Sequence, residues 1–217
     1  MLQAEPEPTC ARCSRLVEFR QNNAKQHPDW FNGAVPSFGD QNAELLIVGL
    51  APGLQGANRT GRPFTGDYAG DLLYQTLQES GFAVGTYDRR SDDGLTLDNA
   101  MITNAVRCVP PQNKPTPAEA KECRSYLSAR IATMPNLKVI LSLGRIAHEA
   151  VLRCFEVRLA AHPFGHGAQH LIESDVFDRS FIMFDSYHCS RYNTNTGRLT
   201  PEMFNSVFSD IRRTMRQ

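Results

Sequence analysis

The chain has 217 residues, 41% of them hydrophobic, a length and composition that suffice for one globular domain with a substantial core. Its 23 basic and 23 acidic side chains balance, so the net charge neither indicates nor excludes a nucleic-acid partner. The N-terminal stretch is acidic and proline-rich, unlike a secretory signal, and no apolar run has the length of a membrane span. We therefore expect residues 1–217 to form a single cytoplasmic domain.

Apolar and polar residues alternate along the chain in blocks that predict β-strands followed by helices. Residues 1–40 are predicted to be irregular apart from a short helix near residues 14–20, and residues 88–97 form a polar excursion. The predicted strands are residues 43–49, 100–106, 138–143 and 181–186, and the predicted helices begin near residues 67, 116, 144 and 201. Four strands, each followed by a helix, favour an α/β fold with a short, mainly four-stranded parallel sheet that carries helices on both faces.

The carboxyl ends of parallel strands meet at one edge of a sheet, where ligands usually bind. The loops expected there are residues 49–67, 107–117, 144–145 and 187–199. The first of them contains neither the Gly-Lys-Ser/Thr ending of a P-loop nor the Gly-x-Gly-x-x-Gly of a dinucleotide site. Its glycines, arginines and single phenylalanine therefore indicate a different kind of ligand.

Four of the six cysteines are spaced like the ligands of one metal centre. Cys10 and Cys13 form a C-x-x-C pair, while Cys108 and Cys123 bracket a loop and a predicted helix start. Disulfides are uncommon in a reducing cytosol, whereas four thiolates suit either zinc or an iron–sulfur cluster. Zinc sites commonly use two short pairs, so the single short pair favours a cluster. Four unrelated buried thiols are the alternative.

Five longer motifs resemble the family-five, UDGb-type uracil-DNA glycosylases, and they occur in the order and at the distances of that family. They are GLAPGLQGANRTGRPFTGD at residues 49–67, AVRCVPPQNKPTP at 105–117, LGRIAHEA at 143–150, HPFGHG at 162–167 and SYHCSRYNTNTGRLTPEMF at 186–204. The resemblance runs from Cys10 to about Phe208, nearly the whole chain. HPFGHG alone is a weak signal, but the ordered set is specific.

The resemblance implies a three-layer α/β/α sandwich and a DNA repair enzyme that hydrolytically removes uracil, leaving an abasic site. It also implies tolerance of other deaminated bases such as hypoxanthine and xanthine. A [4Fe–4S] cluster bound by Cys10, Cys13, Cys108 and Cys123 belongs to the same expectation. The partner would be single- or double-stranded DNA containing such bases, and the protein would be a monomer of the prokaryotic cytosol, associated with the nucleoid.

A base must be flipped out of the duplex before it can be attacked, and the first loop is expected to receive it. By motif position Phe64 would stack on the extruded base, although a ring there also suits core packing. Backbone groups at Gly49 and Ala51 would come close to the base, because glycine lets the chain approach a ligand. Arg62 is expected to bind the substrate. Asn104 occupies the place where related families use asparagine to read uracil.

Three polar side chains are candidates for the chemistry. His188 follows the last predicted strand and would donate a hydrogen bond to the uracil oxygen where negative charge develops, the alternative being a surface loop residue. Ala51 stands where several related families carry a polar residue, so another group must handle the water. Asp67 is our candidate to position or deprotonate it, and Asp67 also suits the N-cap of the following helix. Asn113 would hold the water or pair with a base edge, or else only form a turn.

The loop of residues 190–198 is polar and is expected to enter the minor groove as a wedge, with Arg191 and Tyr192 at its tip. Lys114 and Arg198 would bind DNA phosphates, in contacts that do not depend on base sequence. A solvated loop with no role in DNA binding is the alternative.

Two other functions are compatible with these motifs. A zinc-stapled nucleotide hydrolase would use the same four cysteines for zinc, and a non-catalytic module for binding damaged bases would account for Ala51. Metal content separates the first from an iron–sulfur glycosylase. Alkali-induced breakage of uracil-containing DNA after incubation separates an enzyme from the second.

Overall fold

The computed structural model describes residues 3–173 and 175–216. Its strands are β1 (Phe38–Gly39), β2 (Leu45–Gly49), β3 (Ala83–Val84), β4 (Thr96–Leu97), β5 (Ala100–Asn104), β6 (Val139–Leu143), β7 (Gln169–Ile172) and β8 (Phe181–Ser186). Its helices are α1 (Ser14–Gln26), α2 (Ala57–Thr60), α3 (Tyr68–Glu79), α4 (Pro117–Ala132), α5 (Arg145–Cys154), α6 (Arg191–Asn195) and α7 (Pro201–Met215), with 3₁₀ turns at Pro111–Asn113 and Leu159–Ala161. Among these helices, none combines the length and apolar character needed to cross a membrane.

Six strands of the described chain form one sheet in the order β1-β5-β2-β6-β8-β7. The four inner strands run parallel, with Leu45 of β2 opposite Ala100 of β5 on one side and Val139 of β6 on the other. These are the four predicted strands, which are confirmed. The antiparallel edge strands β1 and β7 were not expected. Because β1 has two residues and β7 is largely exposed, neither carries an apolar pattern that identifies a strand.

Alternate residues of the central strand β2 point into two separate cores. Leu45 and Ile47 pack with side chains of α3 and α7, whereas Leu46 and Val48 pack with side chains of α4 and α5. All four strand residues are fully buried. Helices therefore cover both faces of the sheet, and the three-layer α/β/α sandwich is confirmed.

The predicted helix starts are confirmed, and local capping explains them. Thr116 forms a capping box with Glu119 at the start of α4. Asp67 caps α3 with its side chain, as its residue type suggests. The N-terminal helix is longer than expected and ends at Gln26, shortly before Pro28, since a proline disfavours helical backbone in the residue that precedes it.

The polar excursion of residues 88–97 contains a structural ion pair. Its last residues form β4, which pairs with β3 as a two-stranded ribbon. Asp93 accepts hydrogen bonds of 2.8 and 2.7 Å from the guanidinium of Arg62, and these side chains are 1% and 4% exposed. Burial by itself would raise the pKa of Asp93, but the hydrogen bonds from Arg62 hold it well below its ordinary value. The rings of Phe38 and Tyr74 lie against the same guanidinium.

Asp93→Ala should leave the Arg62 guanidinium buried without a counter-charge and lower the free energy of unfolding by about 3–5 kcal/mol. Neighbouring Asp92 provides a matched control, because its side chain is 68% exposed in its pair with Arg90. Asp92→Ala should cost less than about 1 kcal/mol. Urea unfolding followed by circular dichroism measures both values. Equal losses in the two variants would contradict a structural role for the buried pair.

Candidate active site

Three of the four expected loops meet at the carboxyl edge of the parallel strands and enclose a cleft of about 360 Å³. A volume of this order is typical of ligand sites. The residues singled out in the sequence that line it are Ala51, Phe64, Asp67, Asn104, Asn113, His188 and Arg191. The fourth loop does not line the cleft, although Gly144 packs close to His188.

Asp67 has a different environment at each carboxylate oxygen. One oxygen accepts a hydrogen bond from the backbone N–H of Gly70 at 3.2 Å and caps α3. The other, Oδ2, lies against Gly53 and Gly56, where a Cβ atom would approach it to 2.8 and 2.3 Å. Burial raises the pKa of Asp67 above its ordinary 3.8, in opposition to the lowering effect of backbone hydrogen bonds. One side chain can therefore cap the helix and still present an oxygen at the wall of the cleft.

His188 is partly buried beside Phe64, with ring centroids 5.8 Å apart and 28° between the planes. Burial lowers the pKa of His188 to about 4, so the ring is neutral at neutral pH and has one N–H to donate. Its carbonyl oxygen accepts a hydrogen bond of 2.8 Å from the side chain of Asn193 in α6. A neutral imidazole held in this way can donate to an anion that develops in the cleft.

Asn104 is 3% exposed, and its Oδ1 atom lacks a hydrogen-bond partner within the described part of the chain. An unpaired buried acceptor costs free energy, so the cleft has a place for a ligand that supplies a donor. Gly49 lies beside it, since a Cβ there would come within 2.4 Å of Oδ1 and 2.6 Å of the Phe64 ring. Phe64 has a φ of 52°, which is uncommon for a bulky residue. Backbone strain and an unpaired acceptor thus occur together, as they often do at binding sites.

Basic and aromatic side chains lie on the same edge of the sheet as the cleft. Arg191 lies over the ring of Tyr68, 5.2 Å from its centroid, and that ring is 37% exposed. Tyr192, in α6, is 72% exposed. Lys114 and Arg198 are also exposed, in the loops that follow β5 and β8. This edge therefore places positive charge and the exposed ring of Tyr192 around the cleft.

A second cavity lies between the N-terminal segment, the loop after β5 and α4. Four cysteines line it, and all are free thiols: Cys10, Cys13, Cys108 and Cys123. Burial raises the pKa of Cys13 and Cys123, and it raises the pKa of Cys108 to about 12. Burial thus disfavours the charged thiolate form of these three groups. A bound metal would supply the positive charge that favours thiolates, so four thiols around one cavity suit a metal centre.

Further contacts hold this cavity together. The backbone N–H of Arg107 donates to Cys123 Sγ at 3.3 Å, and the Tyr126 hydroxyl lies 3.7 Å from Cys10 Sγ. The Arg107 guanidinium is 1% exposed and pairs with Glu5 at 2.9 Å. Hydrogen bonds to sulfur commonly surround metal-bound thiolates. The ion pair ties the N-terminal segment to the loop that follows β5.

Known proteins are similar in sequence to this chain over most of its length. A model of the Uracil DNA glycosylase superfamily matches residues 36–212. The chain belongs to this superfamily. It is 43% identical to a Type-5 uracil-DNA glycosylase of Thermus thermophilus, over 94% of this chain and 93% of that protein. The Type-5 enzymes of Pyrobaculum aerophilum and Mycobacterium bovis are 38% and 37% identical, over 91% and 94% of this chain and 85% and 77% of their own lengths. The expected type-5 membership is confirmed.

One residue that was expected to bind the substrate of this glycosylase lies outside the cleft. Arg62 is committed to Asp93 inside the protein and does not line the cleft, so the expectation that it binds substrate is wrong. The cleft of the glycosylase also includes Pro52 and Tyr68, which sequence reasoning did not single out. The signal for Tyr68 was its position, because an aromatic residue directly after the capping Asp67 must lie near the same loop.

Proposed function

We propose that this protein removes uracil from DNA by hydrolysing the N-glycosidic bond of a flipped-out nucleotide, leaving an abasic site. Membership of the uracil-DNA glycosylase superfamily supports the reaction. The observation that carries the assignment of the site is the cleft itself, where Asp67 and His188 lie together with the unpaired acceptor of Asn104. In a module that only bound damaged bases, Asp67 would serve as the cap of α3 alone.

Asn104 is proposed to read the base. Its unpaired Oδ1 would accept a hydrogen bond from N3–H of uracil, which satisfies the buried acceptor. Cytosine has no hydrogen on N3 and cannot make this bond. Hypoxanthine and xanthine carry an N–H beside a carbonyl group, as uracil does, so the same amide supports excision of these deaminated purines. Gly49 leaves room for the side chains of Asn104 and Phe64, and Ala51 and the Phe64 ring line the cleft that would receive the base.

His188 and Asp67 are proposed to act on the two partners that separate when the bond breaks. The base leaves as an anion, and the neutral His188 ring would donate a hydrogen bond to the oxygen where its charge develops. The sugar becomes cationic, and the Asp67 carboxylate would steady it and orient or deprotonate the attacking water. Asn113, exposed at the rim of the cleft, would help to hold that water or the base edge.

The exposed side chains around the cleft are proposed to bind the DNA. Tyr192, with Arg191 beside it, would enter the minor groove and fill the space left by the extruded base. Lys114 and Arg198 would contact phosphates on either side of it. Such contacts position the DNA without selecting a base sequence, which suits an enzyme that searches for rare damaged bases.

The four-cysteine cavity is proposed to hold a [4Fe–4S] cluster. Its donor set fits, because four free thiols and hydrogen bonds to two of the sulfurs converge on one cavity. The bound cluster would supply a covalent cross-link between the N-terminal segment, the loop after β5 and α4. The cavity and the proposed base pocket are lined by different residues, so the chemistry at the cleft is assigned to side chains alone.

Protein purified without oxygen should be brown and contain about four irons per chain. Cys108→Ala should lose the iron together with solubility and folding, since this ligand joins two segments. Cys154→Ala is the matched control, because that thiol is buried in the core away from the group and its loss should leave the iron content unchanged. Stoichiometric zinc without iron would contradict the proposal and favour a zinc-stapled hydrolase.

His188→Ala should slow excision by on the order of 100-fold, because the leaving anion loses one hydrogen-bond donor. Single-turnover incubation with uracil-containing DNA, followed by alkaline cleavage at abasic sites, measures the rate. Affinity for DNA with an abasic site should stay close to wild type. Wild-type protein that binds but produces no alkali-labile sites would overturn the proposed function, whereas a near-normal rate in the variant would remove His188 from the mechanism.

Asp67→Asn should slow single-turnover excision by roughly 100-fold while preserving the cap of α3, since asparagine caps about as well as aspartate. The pKa of Asp67 is raised above 3.8, so the wild-type rate should fall as the pH drops through that raised value and the carboxylate is protonated. Asparagine does not titrate, so this acid limb should be missing from the variant. Burial lowers the pKa of His188 to about 4, so its ring stays neutral above that pH and does not produce an acid limb there.

The melting temperature and DNA affinity of Asp67→Asn are its controls, and both should match the wild type. A stable variant that cleaves at a nearly normal rate would assign Asp67 to the helix cap alone. Attention would then pass to Asn113, the other polar candidate at the cleft.

A further inference from the structure

A buried cluster of two histidines and one aspartate lies behind the active-site edge. His148 Nδ1 lies 2.8 Å from Asp185 Oδ1, and His170 Nε2 lies 3.1 Å from Asp185 Oδ2. The side chains are 3%, 10% and 0% exposed for His148, His170 and Asp185. The cluster joins α5, β7 and β8, and none of its members lines the cleft.

Polar contacts hold the His148 ring at both of its nitrogens. His148 Nε2 lies 2.9 Å from the carbonyl oxygen of His162, so both ring nitrogens of His148 face oxygen atoms. The ring is therefore held between the Asp185 carboxylate and a backbone carbonyl group. The three residues have the composition of a metal site. In this structure, however, their donor atoms already bond to one another.

Asp185 fixes the HPFGHG loop to the end of β8 through its backbone as well. Its N–H donates to the carbonyl oxygen of Ala168 at 3.0 Å, and its carbonyl oxygen accepts from Gly167 at 2.9 Å. The side-chain bond to His148 adds a second connection, because His148 also holds His162 at the start of the loop. The loop is therefore attached to β8 at both of its ends.

The second histidine of the HPFGHG loop connects this arrangement to the cleft. His166 Nδ1 accepts from the backbone N–H of Tyr187 at 3.3 Å, and the two rings stack at 5.1 Å. Tyr187 directly precedes His188, whose carbonyl oxygen is held on the other side by Asn193. The position of the His188 ring thus depends on a backbone that is fixed from Asp185 onward.

We propose that His148, Asp185 and His170 are positioning residues for excision, which align His188 by fixing the end of β8 against the HPFGHG loop. This inference rests on the role proposed for His188. Asp185→Asn keeps the size of the side chain but removes its charge and replaces one acceptor oxygen by an NH2 donor, so one of the two histidines must change its tautomer or lose its bond.

A double-mutant cycle tests the inference in full-length protein. Asp185→Asn should slow single-turnover uracil excision by roughly 10- to 100-fold, the scale for small misplacement of a catalytic group. In the His188→Ala background the same substitution should change the rate by less than about 2-fold, because the ring that it misplaces is already absent. Binding to DNA with an abasic site should be unchanged. Val151→Ala, a buried control in the same helix as His148, should leave the rate within about 2-fold in both backgrounds.

Equal slowing by Asp185→Asn in both backgrounds would overturn the inference and assign the cluster to general stability. If that variant does not fold, His170→Gln provides the same cycle at the edge strand, where the side chain is less enclosed. His188→Ala by itself decides the separate question of the mechanism. A near-normal rate there would refute the proposed role of His188, whereas a slow single variant with additive cycles would refute only the positioning.

Discussion

Parallel pairing of β5, β2, β6 and β8 is the constraint on which the active site depends. Each parallel connection returns the chain to the amino end of the sheet, so all four carboxyl ends lie at one edge. Asp67, Asn104 and His188 are far apart in sequence and meet in one cleft there. Strands β2, β5 and β6 are fully buried between two helical layers, which holds these strand ends in place.

Polar contacts of buried side chains support the loops of this edge. One such contact lies behind each of the three loops that form the cleft: the ion pairs Arg62–Asp93 and Glu5–Arg107, and the hydrogen bond between His148 and Asp185. Removing charges from water is costly, so such pairs contribute little net stability compared with apolar packing. What they supply is a defined geometry, because a charge-assisted hydrogen bond tolerates little displacement of either partner. The glycines at positions 53 and 56 serve the same end by leaving space for the Asp67 carboxylate.

The sequence by itself determined the features that depend on near neighbours. The inner strands follow from continuous apolar runs, and the caps at Asp67 and Thr116 follow from residue type within a single helical turn. Spacing selected the four cysteines that line one cavity, and the order of the motifs identified the superfamily. The loops that form the cleft were predicted from their positions after strands, a rule that needs only the order of the elements. Phe64 and Asn104 were assigned from the resemblance to a known family.

Only the tertiary structure decided which of these side chains are available to a ligand. Arg62 stands in a glycine-rich loop like an exposed arginine, yet Asp93 and two aromatic rings enclose it. Among the described residues Asn104 Oδ1 has no hydrogen-bond partner, and Asp185 bonds to two histidines from other elements. The edge strands β1 and β7 likewise exist only through pairing with distant strands. The physical reason is that hydrogen bonds and ion pairs between distant segments depend on how those segments pack, which local patterns of polarity do not specify.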